Sequence, residues 1–266
     1  MNDWRSYDAI AEAYEQVWAP RFEIVARHLL ALAPPVPGMR LLDVGTGTGA
    51  VAAALGDERA TLRTIVGCDL SRSMLVRARR RLPDLRVLQT DAARLPFRDA
   101  CFDMATANCV LSHLPDHRRA LAEVLRVLAR PCAFATSSWG PASDPYAAAW
   151  RQLLDGAVGD GTTQRSVEAV APSEGHFSSA DNVRAALFDA GFRNVRVEVI
   201  ELPHDYSVGE YLEDRELSSG GRLGRHVLGE DGWRGFLSGA EAELTRRFGE
   251  RLAYRRPLVL GVGTLG

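Results

Sequence analysis

Residues 41–55 read LLDVGTGTGAVAAAL, an apolar run holding Asp43, glycines at 45, 47 and 49, then an alanine-rich helix former. A glycine turn between strand and helix can cradle a ligand, because the backbone approaches closely and the helix N-terminus offers free N–H groups. The spacing is GxGxG, with Ala50 where a dinucleotide fingerprint has its last glycine. That fingerprint tolerates alanine there, so spacing alone does not exclude NAD. Asp43 discriminates better, since a carboxylate at the strand end repels a pyrophosphate and attracts an ammonium or sulfonium.

From Arg40 onward, short apolar runs alternate with helical patterns, the rhythm of a parallel sheet with crossover helices. Strands are predicted over 40–45, 62–70, 85–91, 102–108, 131–139, 193–202 and 256–265, nearly continuous in hydrophobicity as strands covered on both faces must be. Helices are predicted over 72–82, with Ser71 as cap, and over 117–128. The fold class is therefore α/β, a Rossmann-like seven-stranded sheet with helices on both faces. Residues 1–39 read as an N-terminal helical lid, two amphipathic helices broken at Pro20, and 40–139 as the cofactor-binding core. Residues 140–266 complete the core and carry insertions at 140–179, with one helical piece near 146–154, and at 207–254, mostly helical. These follow the fifth and sixth strands, at the carboxyl ends where open α/β sheets bind ligands.

Composition removes several chemistries. None of the 266 residues is lysine, so all 32 Lys-plus-Arg positions are arginine. Schiff-base enzymes and P-loop NTPases are excluded, because a guanidinium is no amine nucleophile and the turn has no following Lys-Ser/Thr. A net charge of −2 gives no basic field for nucleic acid or membrane. Arg77, Arg79, Arg80 and Arg81 read as the solvated face of an amphipathic helix. Cys68, Cys101, Cys109 and Cys132 lack ligand spacing and read as reduced, so no metal site is expected. With no signal peptide and no long apolar run, the expected location is cytoplasmic.

Four ordered stretches, LLDVGTGTG (41–49), VGCDLS (66–71), LQTDAARLPF (88–97) and FDMATANCVLSHLPD (102–116), resemble the successive motifs of class I S-adenosylmethionine-dependent methyltransferases. The opening SYDAIAEAYE (6–15) is similar to the first helix of the ubiquinone/menaquinone C-methyltransferase-like small-molecule group. Beyond Gly140 only general features match. The resemblance implies S-adenosyl-L-methionine as cofactor, with Gly45, Gly47 and Gly49 around its methionine part and Asp43 ordering the amino group. It further implies Asp69 on the ribose hydroxyls, Leu70 and Met74 flanking adenine, Asp91 and Ala92 on the adenine edge, and Asn108 giving a carbonyl to the ammonium.

Methyl transfer needs a general base only where the acceptor carries a proton. His113, just beyond the fourth strand, is the first candidate for catalysis and also borders the cofactor. His204, at the end of the sixth strand, is the second. Tyr14 lies on one helical face with Trp4, Tyr7, Ile10, Ala11 and Val17, a stripe that reads as core or as an aromatic wall beside a sulfonium. The fourth strand ends in NCVL without the proline-containing motif of DNA amino-methyltransferases, and no acidic cluster marks a magnesium site. The expected partner is a small organic acceptor, not nucleic acid or membrane, for a monomer or homodimer that methylates O, C or N. The alternatives left open are a cofactor-binding protein or a cyclase without methyl transfer, and an NAD-dependent dehydrogenase.

Overall fold

The computed structural model describes residues 3–141 and 144–266. Its sheet contains β1 (Arg40–Val44), β2 (Thr64–Asp69), β3 (Arg86–Gln89), β4 (Phe102–Asn108), β5 (Leu128–Trp139), β6 (Arg193–Ser207) and β7 (Arg251–Leu265). The spatial order is β3-β2-β1-β4-β5-β7-β6, parallel except that β7 runs antiparallel to both β5 and β6. Strand order reverses between β1 and β4, so the crevice for a ligand opens above their carboxyl ends, where Asp43 pairs in register with Thr106.

One face of the sheet is covered by the N-terminal helix Ala19–Leu32, whose Val25, Ala26 and Leu29 pack with Leu41, Met104, Leu258 and Leu260. The other face is covered by helices His117–Val127 and Ala180–Asp189 over Leu42, Val44 and Phe134. A third core belongs to the insertions. Trp150 and Leu154 after β5 pack with Tyr211, Leu212, Trp233 and Leu244 after β6, so the two insertions form one helical cap. Among the described residues no helix is long and apolar enough to cross a membrane.

All seven predicted strands are present, with four corrections. β3 and β6 are sheet edges and largely exposed, since the sheet's two outer strands each have one neighbour. Pro20 does not break the N-terminal helix, because helical backbone is continuous from Ala11 to Leu32. A π-turn at Tyr14–Trp18 precedes Pro20, and the proline falls in the first turn of Ala19–Leu32, where its missing N–H is tolerated. The insertion after β5 holds three helices, Pro145–Val158, Thr162–Val170 and Glu174–Phe177, not one. Its glycines at 156, 159 and 161 obscure the periodicity, while Asp155 Oδ1 caps the second helix by accepting from Thr163 N at 2.8 Å. Finally, Arg77 and Arg81 are only partly solvated. They pair with Glu12 and Glu15, and with Glu23, across to the lid, leaving only Arg79 and Arg80 of that cluster exposed.

Candidate active site

The glycine turn is left-handed at Gly45, Gly47 and Gly49, with φ of 66°, 54° and 88°. A Cβ on Gly45 would meet the Val110 side chain at 2.4 Å, so this position is closed to any other residue by both φ and contact. Above Gly47 the nearest group is the Tyr14 hydroxyl, 3.9 Å from where a Cβ would stand. Asp69, at the end of β2, accepts from Gly47 N at 2.9 Å through Oδ2 and from Ser71 N at 2.8 Å through Oδ1. Burial raises its pKa, and these backbone donors pull it back.

Asp43 is 1% exposed. Thr106 Oγ1 donates to its Oδ1 at 2.8 Å, while Oδ2 is buried with no hydrogen bond among the described residues, the unpartnered Thr46 hydroxyl being its neighbour. Burial pushes its pKa up to about 7. A carboxylate oxygen so placed is costly unless a donor completes it. Asn108 lines the same cavity, with its amide nitrogen on the Phe22 carbonyl at 3.1 Å and its oxygen accepting from Ser137 Oγ at 2.8 Å.

Over this floor lies the lid. Asp8 accepts from Ser71 Oγ at 2.6 Å and Ser73 N at 2.8 Å, so it sits on the first turn of helix Arg72–Arg81 and its pKa is lowered by those bonds. The Arg77 and Arg81 ion pairs continue the strap along that helix. Tyr14, Trp18 and Phe22 project inward at successive helical turns, with Tyr14 and Phe22 stacked at 5.7 Å. The cavity lined by Tyr14, Phe22, Asp43, Gly45 and Asn108 measures about 10 Å³, room for one water.

On the opposite side of Asp69, Leu70 is 71% exposed while Met74 is buried. Asp91 is exposed and its Oδ1 accepts from Ala93 N at 2.8 Å, an Asx turn, with Ala92 half-buried beside it. Thus Asp43, the glycines, Asp69 and Asn108 gather around one crevice, with Leu70, Met74, Asp91 and Ala92 along its β2–β3 edge.

His113 follows β4 in a short 3-10 turn. Its Nδ1 lies 3.1 Å from the Val170 carbonyl. A carbonyl can only accept, so Nδ1 carries the proton and Nε2 keeps its lone pair. Burial lowers its pKa, holding the ring neutral at pH 7. Tyr7 of the lid meets it edge-on at 5.7 Å. His204 lies elsewhere, on the β6–β7 ribbon, stacked on Tyr254 at 4.8 Å with Nδ1 at 2.8 Å from Tyr206 Oη. Burial, then the Arg256 charge, takes its pKa down to about 4, which makes it a weak proton acceptor. The two histidines are thus not one constellation.

Sequence reading missed the residues that build this second region. Trp139, at the end of β5, stands 6.5 Å from Phe22 and 6.2 Å from His204. Asp214 is buried and accepts from Trp18 Nε1 at 2.8 Å, from Arg21 and from Arg215. Arg222, also buried, reaches the Arg5 carbonyl at 3.2 Å and covers the Tyr7 ring at 4.8 Å. The spacing of Tyr14, Trp18 and Phe22 was a usable signal, hidden by the break assigned to Pro20. For Asp214, Arg222 and Arg256 no local pattern exists. Among the described residues no three His, Cys, Asp or Glu side chains are grouped to hold a metal.

Residues 42–135 match the family described as Methyltransferase domain. The chain is 39% identical over 111 residues to demethylmenaquinone methyltransferase of Beutenbergia cavernae, a match covering 40% of this chain and 45% of that protein. It therefore spans less than half the length of that relative. To malonyl-[acyl-carrier protein] O-methyltransferase of Geobacter sulfurreducens it is 34% identical over 192 residues, 70% of this chain and 68% of that one. The solved structure of YcgJ from Bacillus subtilis superposes with a TM-score of 0.58 at 21% identity, over 91% of this chain and 97% of that chain, which shows the shared fold. With the glycine turn, the strand-end acids and these matches together, the chain belongs to the class I S-adenosylmethionine-dependent methyltransferases.

Proposed function

We propose that this chain transfers the methyl group of S-adenosylmethionine to a small organic acceptor held between the lid and the helical cap. The observation that carries the reading is Asp43 Oδ2, a buried carboxylate oxygen lacking a partner beside a left-handed glycine turn. An ammonium group is the donor that would complete it, and a second phosphate-like anion would be repelled. Asp69 has one backbone N–H on each oxygen, and a carboxylate with about four acceptor sites can still take both ribose hydroxyls. Leu70 and Met74 would flank the adenine, Asp91 and Ala92 would meet its edge, and the Asn108 carbonyl would join Asp43 at the ammonium. Tyr14 would face the sulfonium once the lid reclosed.

Bound there, S-adenosylmethionine would supply an activated methyl group for transfer to the acceptor. What the chain's residues do is align, exclude water and move a proton. Tyr14, Phe22 and the lid strap seal the crevice. His113 would take the acceptor's proton at Nε2, its tautomer fixed by Val170. His204 would serve as wall rather than base. The reading carries with it a cytoplasmic location for a monomer or homodimer, where four free thiols stay reduced.

The test is calorimetric titration with S-adenosylhomocysteine, then mass spectrometry of an acceptor panel incubated with the deuteromethyl cofactor. A labelled methyl increment on one acceptor is the expected result. Binding without any increment would favour a cofactor-binding or cyclase role, and NAD binding in preference to S-adenosylhomocysteine would overturn the reading.

A further inference from the structure

Arg256, on β7 opposite Leu202, is a guanidinium without an anion. Its Nε is buried and unpartnered, and among the described residues it forms no ion pair. The guanidinium lies over the Trp139 ring at 4.5 Å. Asp214, the buried carboxylate nearby, is occupied by Trp18, Arg21 and Arg215. Glu174 and Tyr254 also face Arg256, and Arg215 repels it, so burial and a like charge both depress its pKa. A half-buried guanidinium whose Nε is shut off from water and which has no anion is costly, and it persists where a ligand supplies the counter-charge.

The surroundings define that ligand's shape. Trp139 borders His204, His204 stacks on Tyr254, and Phe22 joins Trp139 to the crevice that holds Asp43. Flat rings therefore line the route from the glycine turn to the guanidinium. A guanidinium fork matches a carboxylate in plane, with two parallel N–H donors.

We propose that Arg256 binds a carboxylate on a flat aromatic acceptor, and that this anion is a spectator rather than the atom methylated. This rests on the methyl-transfer reading above. An attacking oxygen gives its lone pair to the methyl carbon and loses negative charge as the bond forms. A cation held on that oxygen would stabilise the ground state more than the transition state and slow the reaction. Arg256 is thus a specificity-determining residue, separate from proton removal at His113.

The experiment is titration of the S-adenosylhomocysteine complex with benzoate, salicylate and indole-3-carboxylate, each against its neutral amide. The acids are expected to bind at least tenfold tighter than the amides. Arg256→Gln should remove this preference, a loss of about ten- to a hundredfold for the acids, and Arg256→Lys should keep part of it. S-adenosylhomocysteine affinity should change by less than about threefold in both variants. Equal binding of acid and amide by the wild-type complex, a result that needs no variant, would overturn the inference and leave the methyl-transfer reading intact. A variant that loses S-adenosylhomocysteine instead would assign Arg256 to the cofactor and also overturn it. Failure of the wild-type protein to bind S-adenosylhomocysteine would fall on the methyl-transfer reading itself.

Discussion

Asp43→Asn is expected to make the protein more stable and its cofactor site worse, and both effects have one origin. Asp43 titrates at about 7 rather than at its ordinary 3.8, because burial penalises the charged form more than the Thr46 and Thr106 hydroxyls relieve it. At about 1.36 kcal/mol per pH unit, keeping the group ionised in the folded chain costs ~4 kcal/mol relative to the unfolded one. The native state holds this proton more tightly than the unfolded chain, so the residue's contribution to stability falls as pH rises from 3.8 to about 7 and is flat above. An amide cannot ionise, so the variant's advantage from this source is near zero at the acid end and fully developed by about pH 8. An asparagine NH2 lacking an acceptor takes back about 1–3 kcal/mol at every pH, so the variant is the less stable form at the acid end and reaches a net gain of ~1–3 kcal/mol only by about pH 8.

The same substitution removes the proposed partner of the cofactor's ammonium, an expected loss of ~1.5–3 kcal/mol or about ten- to a hundredfold in S-adenosylhomocysteine affinity. Urea denaturation from about pH 5 to 8 measures the first effect, and calorimetric titration at the same pH values measures the second. In the wild type, cofactor binding below about pH 7 must expel the Asp43 proton, so affinity should fall toward acid. In the variant that dependence should vanish. A stability difference that stays constant across the range, or an affinity equal to wild type, would refute the reasoning.

Asp69→Ala should weaken S-adenosylhomocysteine by about ten- to a hundredfold while the circular dichroism spectrum stays native, since it removes the proposed ribose acceptor and one tie to Gly47. Hydrogen exchange over residues 3–20 should slow when S-adenosylhomocysteine is added, and Arg81→Ala, which cuts the strap to Glu23, should speed exchange there; equal rates in all three states would show that the lid is not a gate. His113→Gln should lower turnover on a proton-bearing acceptor by about 10²–10⁴-fold and abolish the acidic limb of the pH–rate profile. Because burial lowers the His113 pKa, that limb should fall below the ordinary 6.5, and wild-type rates at every pH would return the ring to a packing role. His204→Gln should cost less, measured as kcat on the same acceptor, because a group titrating at about 4 is a poor base at neutral pH.

The cofactor half was legible because its determinants are local. Strand, turn and helix are written in fifteen consecutive residues from Leu41 to Leu55, and Asp69 and Asn108 each end a strand whose own pattern marks it. The lid was half legible. Its helical period is plain, yet Pro20 suggests a stop, and only the three-dimensional chain shows the π-turn that carries Tyr14, Trp18 and Phe22 past it onto one face.

The acceptor half resists reading for a physical reason. Arg256 stands in LAYRRPLVLG beside Arg255, and nothing local distinguishes the half-buried cation from the exposed one. The difference comes from Trp139, 117 positions earlier, and from Asp214, which Arg21 of the lid and Arg215 of the cap neutralise together. The same pairing ties the N-terminal helices to the cap through one carboxylate, so on the proposed reading the element that opens for the cofactor would also form a wall for the acceptor. On the proposed reading, opening at Tyr14 would break the Trp18 and Arg21 bonds to Asp214 and leave that carboxylate, near Arg256, with Arg215 as its remaining partner. An anionic acceptor would compete with Asp214 for Arg256 while the lid is open and would bind it unopposed once the lid has closed. That coupling favours cofactor first and acceptor second, an order that product-inhibition kinetics with S-adenosylhomocysteine can read directly.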